Sequence, residues 1–361
     1  MQPDDMAVSD FTANQSVVVY PTYGYPSADG RRWVVEVHGC VFEKVPDNLP
    51  RWIMLRLLAR LMDATPEDLQ TEIFQQRILG FTVYKHRGKQ IVVEIGNRRY
   101  RLTERSAKNG QFRGRVELDR DEVEPFIESG PAGVFLPFRV VLDSDDSRSF
   151  VSRIQLLEHA GMSIISDIDD TVKHTDVATR KSMLANTFLR EFSTVPGITD
   201  LFKTWEEQGA AFHYVTSSPW QLFLPLSELF LSEGLPGGTF HMKSIRFRDP
   251  SVLRLFIARR WGKRKAIKHI LQTFPCRKFV LVGDSGEKDP ETYGVIARKF
   301  PQQVDRIYIR DLSGKNSHPA RYARAFHGLP EQLWQVFREP SEIGDRALSA
   351  PDFPQISSRF A

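Results

Sequence analysis

From about residue 160 onward, apolar segments typical of strands alternate with segments that have helical spacing. The predicted strands are 163–166, 211–216, 278–282 and 306–309, and the predicted helices are 184–192, 198–208, 220–233, 263–273 and 290–299. Strands that alternate with helices form a mostly parallel sheet covered by helices on both faces. The pattern therefore predicts a doubly wound α/β domain, a fold that binds its ligands at the carboxyl ends of the strands.

The first half of the chain has a different pattern, with short β-branched and aromatic segments separated by turn residues. The predicted strands are 17–20, 33–37, 80–84, 90–95 and 112–118, with 134–142 and 154–157 closing the set. This grouping predicts a mainly β, sandwich-like domain. One helix, 52–62, has basic residues between its apolar positions; it either covers the sheet or lies on a membrane.

A polar cluster at 143–147 separates the two patterns. We therefore predict a mainly β domain over 1–150, an α/β domain over 151–338, and an irregular tail over 339–361. The chain has 361 residues, enough for two hydrophobic cores.

Composition narrows the classes of protein. The net charge of +4 permits contact with anionic partners without requiring it. The two cysteines, Cys40 and Cys276, make a disulfide framework unexpected and favour a reducing compartment. Neither a secretory signal nor an apolar run of about 18 residues is visible, so we expect a cytoplasmic protein, in solution or peripheral at a membrane. No aromatic-basic motif for nucleic-acid recognition is evident, so no nucleic-acid partner is expected.

The segment 164–171 ends a predicted strand with two aspartates and a threonine. Alternate residues of an extended segment point the same way, so Asp167 and Asp169 can converge on one metal ion and one electrophile. Carboxylate oxygens suit Mg²⁺, which predicts a magnesium-assisted phosphoryl site. Taken alone, the motif is also compatible with an ordinary acidic loop.

Two further segments follow strand ends in the predicted sheet. Thr216, Ser217 and Ser218 form a run of hydroxyls that can bind a phosphoryl oxygen, although the same run could cap the next helix. Lys263 begins a helix and could neutralise both a carboxylate and a bound phosphate. Several basic neighbours of Lys263 must be exposed to solvent. The alternative is therefore that Lys263 is also a solvent-exposed lysine with no role in the site.

The segment 281–289 completes the predicted site. Gly283 allows a tight turn after an apolar strand, and Asp284 emerges at the strand end as a magnesium ligand. Asp289, on the loop before the next helix, can orient a metal-bound water. Two acidic motifs at the ends of two strands, in this order, make an incidental acidic turn a poor explanation.

These motifs resemble the haloacid-dehalogenase superfamily of phosphatases that use an aspartate nucleophile. Segments 166–173, 214–221, 282–293 and 307–311 are more specifically similar to the catalytic domain of the actin-patch-associated phosphatidate phosphatases, distant relatives of the lipins. The resemblance covers about residues 160–315. It implies a Rossmann-like parallel sheet with a minimal cap. Thr216 stands where many relatives have serine, a change that keeps the hydroxyl, and no proline-rich tail supports a link to actin.

The resemblance also implies roles for individual residues. Asp167 would be the nucleophile that forms an aspartyl-phosphate, and Asp169 the general acid and then the base. The Mg²⁺ ion would be held by Asp167, the backbone carbonyl of Asp169, and Asp284. The predicted catalytic residues are thus Asp167, Asp169, Thr216 and Lys263; the predicted substrate-binding residues are Thr216, Ser217, Ser218 and Lys263; and the predicted metal site comprises Asp167, Asp169, Asp284 and Asp289.

The substrate is expected to be phosphatidate, which would be converted to diacylglycerol and orthophosphate. The short segments around the predicted site leave no room for a large cap, so the site could reach a phosphate held at a surface. A basic and apolar segment at 246–261 could dock on an anionic bilayer or simply pack as a helix with a solvated face. Alternatives are another phosphomonoester (a sugar phosphate, an inositide or a phosphoprotein) or an inert membrane-binding scaffold.

Overall fold

The computed structural model describes residues 4, 6–44, 49–130, 132–176, 179–244, 262–312 and 317–344. Two sheets organise this part of the chain. The first has ten strands and is mainly antiparallel, and the second has six parallel strands. The predicted class, an α/β domain with a parallel sheet preceded by a mainly β domain, is confirmed.

The first sheet contains β1 (Gln15–Val19), β2 (Thr22–Pro26), β3 (Arg32–Glu43), β4 (Tyr84–Lys85), β5 (Val92–Ile95), β6 (Arg98–Arg101), β7 (Gln111–Asp119), β8 (Glu128–Gly130), β9 (Gly133–Val140) and β10 (Val151–Leu156). Its main order is β1-β3-β2-β10-β9-β5-β6, with β4 and β7 pairing with β3 and β8 pairing with β9. Apolar side chains from β1, β3, β5, β7 and β9 share one buried cluster, so this sheet encloses a core of its own.

The second sheet contains β11 (Met162–Ser166), β12 (Ala211–Pro219), β13 (Gly238–Lys243), β14 (Lys278–Asp284), β15 (Val304–Arg310) and β16 (Trp334–Phe337), in the order β13-β12-β11-β14-β15-β16. The central strands are almost wholly buried, as expected when helices cover both faces. The sequence predicted β11, β12, β14 and β15 but missed the two edge strands. β16 is mostly half-buried and therefore lacks a continuous apolar run.

The helices are α1 (Leu49–Met62), α2 (Glu72–Thr82), α3 (Arg120–Val123), α4 (Arg180–Phe188), α5 (Ile198–Glu207), α6 (Phe223–Ser232), α7 (Lys263–Thr273), α8 (Asp289–Lys299) and α9 (Pro319–Ala325), with a 3₁₀ turn at Trp220–Leu222. Between β11 and β12 only α4 and α5 are described, in keeping with a minimal cap. Among the described helices, none combines the length and the apolar character needed to cross a membrane.

The strand predicted at 80–84 is wrong. Residues 72–82 form α2, and only β4 at its end is extended. Thr71 caps the helix, since its side chain accepts a hydrogen bond from the backbone N–H of Phe74. Phe74, Ile78 and Phe81 then repeat at helical spacing on the buried face. The β-branched and aromatic residues at the end of this segment led to the prediction of a strand, so the second helix in the first half of the chain was missed.

Helix α2 connects the two halves of the chain. Phe74, Ile78 and Phe81 belong to the same buried cluster as apolar residues of β11, β12 and α6. The ring of Phe81 lies 5.5 Å from that of Phe188, between centroids, and Arg77 Nη1 donates to the carbonyl of Thr187 at 2.9 Å. The first half therefore packs directly against the sheet that carries the candidate site.

Replacing Gly80 with alanine tests this packing. In an exposed helix the change would stabilise by roughly 1 kcal/mol. Here a Cβ atom at Gly80 would lie 2.4 Å from the carbonyl oxygen of Gln221, a backbone atom that cannot rotate away. We expect Gly80→Ala to lower the free energy of unfolding by about 1–3 kcal/mol in urea titration. Gly130→Ala, where nothing lies within 4 Å, is the control; equal effects of the two changes would contradict the packing described for α2.

The domain division predicted from the sequence stays a proposal. Strand β10 begins at Val151, just after the proposed boundary, and pairs with β2 and β9 of the first sheet. The start of the proposed tail forms a 3₁₀ turn at Pro340–Ile343. The basic and apolar segment 246–261 lies outside the described residues.

Candidate active site

The acidic motifs meet at the carboxyl end of the parallel sheet. Strands β11 and β14 are neighbours, with Ser166 opposite Val282. Asp167 follows directly, and its backbone N–H donates to the carbonyl of Val282 at 2.9 Å. Asp284 ends β14. The parallel pairing therefore places these two aspartates side by side, as the sequence predicted for a site at this edge of the sheet.

Three of the predicted acidic side chains form a buried cluster. Carboxylate oxygens of Asp167, Asp284 and Asp289 lie within 4.8 Å of one another, and the residues are at most 1% exposed. Burial raises the pKa of Asp167 and of Asp284 well above the usual value. Neighbouring carboxylates add to this effect, while Lys263 opposes it. A cation among the three oxygens would relieve this repulsion.

Unsatisfied oxygens support the fit of a metal ion. Both carboxylate oxygens of Asp167 and Oδ2 of Asp284 are buried and have no hydrogen-bond partner among the described residues, although Oδ1 of Asp167 is ion-paired. Oδ1 of Asp284 instead accepts a hydrogen bond from the backbone N–H of Glu287 at 3.1 Å. Buried anionic oxygens of this kind require a charged or hydrogen-bonding partner. An oxygen-only donor set suits a hard divalent cation such as Mg²⁺.

Lys263 is the first residue of α7 and reaches into the acidic cluster. Its Nζ lies 2.9 Å from Oδ1 of Asp167, 2.9 Å from Oδ1 of Asp289, and 2.9 Å from Oε2 of Glu287. Its side chain is only 9% exposed. Burial alone would lower the pKa of Lys263, but Asp167, Asp289 and Glu287 hold it well above the usual value. The solvated alternative for this lysine is therefore wrong.

The side chain of Asp169 lies apart from the acidic cluster and is held by four side chains. Its Oδ2 accepts hydrogen bonds from Thr216 Oγ1 at 3.0 Å and Ser218 Oγ at 2.7 Å. Its Oδ1 accepts from Thr175 Oγ1 at 2.8 Å and pairs with Lys173 Nζ at 3.1 Å. Burial would raise the pKa of Asp169, but the positive charge of Lys173 and these hydrogen bonds lower it to about 2. Asp169 is therefore a carboxylate at neutral pH.

The hydroxyl run at the end of β12 points at the acidic residues. Thr216 and Ser218 hold Asp169, and Ser217 Oγ donates to Glu287 Oε2 at 3.0 Å. None of the three caps the following helical segment, since the 3₁₀ turn at Trp220–Leu222 and α6 both begin without a side-chain cap. The capping alternative is therefore wrong.

Three residues of this site were not predicted from the sequence. Glu287 lies in the quoted 281–289 segment but had no predicted role, although its position between Asp284 and Asp289 was an available signal. Lys173 and Thr175 follow the first motif in a loop that turns back at Asp170, whose φ is +58°. No regular spacing reveals such a return, and only the folded loop brings both side chains to Asp169.

Glu287 links the lysine to the hydroxyl run, which leads to a prediction. We expect Glu287→Ala to lower kcat/KM by about 10- to 100-fold, because Lys263 and Ser217 both lose an acceptor that orients them. Glu287→Gln keeps an acceptor oxygen and should retain more activity. Glu291→Ala, a partly exposed residue on α8 paired with Arg321, is the control. Steady-state kinetics measure kcat/KM for the three variants, which should be lowest for Glu287→Ala and highest for Glu291→Ala. Equal values for Glu287→Ala and Glu291→Ala would contradict the prediction.

Comparisons with known proteins agree with this geometry. Residues 162–311 match the family model described as the catalytic domain of phosphatidate phosphatase APP1. Phosphatidate phosphatase APP1 of Saccharomyces cerevisiae is 38% identical over 161 residues, which cover 44% of this chain and 27% of that protein. An uncharacterized protein of Schizosaccharomyces pombe is 33% identical over 204 residues, covering 53% of this chain and 32% of that protein.

The matched regions thus span less than a third of each yeast relative. Among solved structures, a chain from the "Structure of Pnkp1/Rnl/Hen1 complex" aligns with a TM-score of 0.28 at 10% identity, over 44% of this chain and 53% of that one. A likeness this weak carries no argument. The family match confirms, for residues 162–311, the resemblance to the actin-patch-associated phosphatidate phosphatases.

Proposed function

We propose that this chain is a Mg²⁺-dependent phosphatidate phosphatase that releases orthophosphate and diacylglycerol through an aspartyl-phosphate. One observation carries the proposal: Asp167 lies at the end of β11 with its buried Oδ2 unsatisfied and its Oδ1 paired with Lys263, next to Asp284 and Asp289. A strong nucleophile and a concentration of charge that could stabilise a phosphoryl group are therefore in one place. The family match of residues 162–311 supports the reaction class.

The proposed first step is attack by a carboxylate oxygen of Asp167 on the phosphorus. A phosphorus–oxygen bond to Asp167 forms while the bond to the glycerol oxygen breaks, and that oxygen takes a proton from Asp169. In the second step Asp169 removes a proton from water, which attacks the aspartyl-phosphate and frees Asp167. Lys263 would neutralise charge on Asp167 and the phosphoryl oxygens throughout.

The hydroxyl run offers a way for Asp169 to serve both steps. In the free protein Thr216 and Ser218 donate to Asp169 and favour its carboxylate form. If these hydroxyls turned to the oxygens of a bound phosphate, Asp169 would lose two donors and its pKa would rise, so that it could take up from solvent the proton that it then gives to the glycerol oxygen. After orthophosphate leaves, the hydroxyls would return to Asp169.

Asp167 and Asp284 would hold the Mg²⁺ ion, and Asp289 would support it from the α8 side of the cluster. When bound, the ion would supply positive charge that lowers the repulsion between the nucleophile and the phosphate. The donor set consists of oxygens, as magnesium prefers. We also propose that the substrate is reached at the surface of an anionic membrane, since a phosphatidate head group lies there.

Substrate comparison tests the proposal. The purified chain should release orthophosphate from dioctanoyl phosphatidate in mixed micelles with a higher kcat/KM than from sugar phosphates, inositides or phosphopeptides. EDTA should remove at least about 99% of the activity, and Mg²⁺ should restore it, because the acidic cluster loses its compensating charge. A higher kcat/KM for any of the soluble phosphomonoesters would contradict the proposal that the substrate is a lipid. Activity that persists in EDTA would contradict the proposed metal requirement.

A further inference from the structure

A cavity of about 70 Å³ lies where the two halves of the chain meet. Strands β1, β3 and β7 and helix α2 form one side, and the 3₁₀ turn after β12 together with α6 forms the other. Most of the lining is apolar, including Val18, Phe42, Leu79, Val83, Phe223 and Leu224. The cavity is separate from the acidic cluster, and nothing in the reaction described above uses it.

Two lining residues, Trp220 and Gln221, each have a buried polar side-chain atom without a hydrogen-bond partner among the described residues, and the one at Trp220 is a donor. The indole Nε1 of Trp220 is buried and finds no hydrogen-bond acceptor within the described part of the chain, and Trp220 is only 5% exposed. Ring contacts hold the indole in place, with centroids 4.0 Å from Tyr20 and 4.6 Å from His38. A buried donor without an acceptor carries an uncompensated desolvation cost. A ligand that offers one acceptor in apolar surroundings would recover this cost.

The cavity lies next to the hydroxyl run. Trp220 follows Ser218 by two residues, and Ser218 Oγ donates to Asp169 Oδ2 at 2.7 Å. The intervening Pro219 is extended, with φ −77° and ψ 152°, so the two Cα atoms are about 7 Å apart. The hydroxyls proposed to bind the phosphate and the cavity wall are therefore only two residues apart along the chain.

We propose that this cavity binds the first part of one acyl chain of the substrate, with the ester carbonyl accepting the hydrogen bond of Trp220 Nε1. The inference rests on the proposed function and specifies how a lipid phosphomonoester is distinguished from a soluble one. An ester carbonyl is an uncharged acceptor a few bonds from the phosphate and is followed at once by methylene groups. The lining supplies a donor for the first in Trp220 and, for the second, side chains that are mostly apolar. The volume suits part of a single chain, so the second chain would remain outside.

Filling the cavity tests the proposal. The ratio of kcat/KM for dioctanoyl phosphatidate to that for p-nitrophenyl phosphate should fall at least about 10-fold in Val83→Phe, because the larger ring occupies the space of the chain. Leu224→Trp, at a half-exposed lining residue, is a second filling variant if the first folds poorly. Val134→Phe, a partly exposed valine outside the lining, should keep the wild-type ratio.

Removing the donor tests the hydrogen bond. Trp220→Phe retains an aromatic ring but lacks Nε1, and we expect the same ratio to fall about 3- to 10-fold, the effect of one neutral hydrogen bond. The loss should appear mainly in KM, since the contact forms when the substrate binds. An unchanged ratio in Trp220→Phe and in both filling variants would overturn the proposal.

Binding of dioctanoylglycerol, measured by calorimetry, separates this proposal from the proposed function because it requires no turnover. If the wild-type chain does not hydrolyse phosphatidate but binds dioctanoylglycerol, and Val83→Phe weakens that binding at least 10-fold relative to Val134→Phe, the cavity assignment stands and the proposed substrate falls. If wild-type and Val83→Phe chains bind it equally, the cavity assignment falls whatever the substrate.

Discussion

Asp167→Asn is expected to lower phosphate release by at least about 10⁴-fold, the scale of loss when a covalent nucleophile is removed. The amide has nearly the shape of the carboxylate but cannot attack phosphorus effectively, so no aspartyl-phosphate forms. Orthophosphate release from dioctanoyl phosphatidate and from a chromogenic ester should fall together. An Asp167→Asn enzyme with more than about a tenth of wild-type activity would show that another residue attacks the phosphorus.

The same variant should remain folded. The raised pKa of Asp167 shows that its charge is unfavourable in the native state, because burial and the nearby Asp289 and Glu287 outweigh Lys263. Removing the charge should leave the melting temperature unchanged or higher in EDTA, while Lys263 keeps its contacts with Asp289 and Glu287. Asp170→Asn is the matched control: its carboxylate accepts from the backbone N–H groups of Thr175 and Asp176, a role that an amide oxygen can fill, and activity should stay within about 10-fold.

Lys263→Met is expected to have the largest effect on stability, about 3–5 kcal/mol in the absence of divalent cations. The change leaves the carboxylates of Asp167, Asp289 and Glu287 without the cation that compensates them. Activity should fall as well, because Lys263 is placed to neutralise charge at the nucleophile. Lys265→Met, on the exposed face of the same helix, is the control, and denaturant titration of the two variants measures the difference.

The pH dependence of Lys263→Met follows from the direction of the carboxylate shifts. Asp167 and Asp284 already have a pKa above the unfolded value, and loss of Lys263 raises it further. The native state then binds more protons than the unfolded state, so stability should fall as pH rises from about 4 through the native pKa. Adding Mg²⁺ should restore part of the loss. A variant as stable as Lys265→Met at every pH would contradict the compensating role of Lys263.

The acidic residues could be found from the sequence because parallel pairing determines their meeting point. The alternation of strands and helices is enough to recognise β11 and β14 as parallel strands of one sheet. Asp167 and Asp284, which lie at the carboxyl ends of these strands, must then be at the same edge of the sheet. Lys263 was located because α7 begins where its sequence pattern begins. The positions follow from local periodicity and the rules of sheet topology, whereas the roles of these residues were implied by the resemblance to a phosphatase family.

What the sequence did not reveal depends on contacts between distant segments. Helix α2 was mistaken for a strand because its last residues are β-branched and aromatic, and its helical face is determined by packing against α4 and the turn at Trp220. The bond from Ser217 to Glu287 joins residues 70 positions apart. The cavity beside Trp220 likewise combines residues from β1 to α6, and no local pattern encodes such a combination.

The shared core around Phe74, Ile78 and Phe81 has a consequence for how this architecture can be engineered or inherited. A chimera that joins the α/β half to an unrelated leading domain would leave apolar side chains of α6 and β12 exposed to water. A chimera that folds must either contain an equivalent of α2 or carry polar substitutions on the exposed face of α6 and β12. The first half of the chain is therefore not an independent module. We expect a chimera to fold only when the first half and the α/β half are exchanged together.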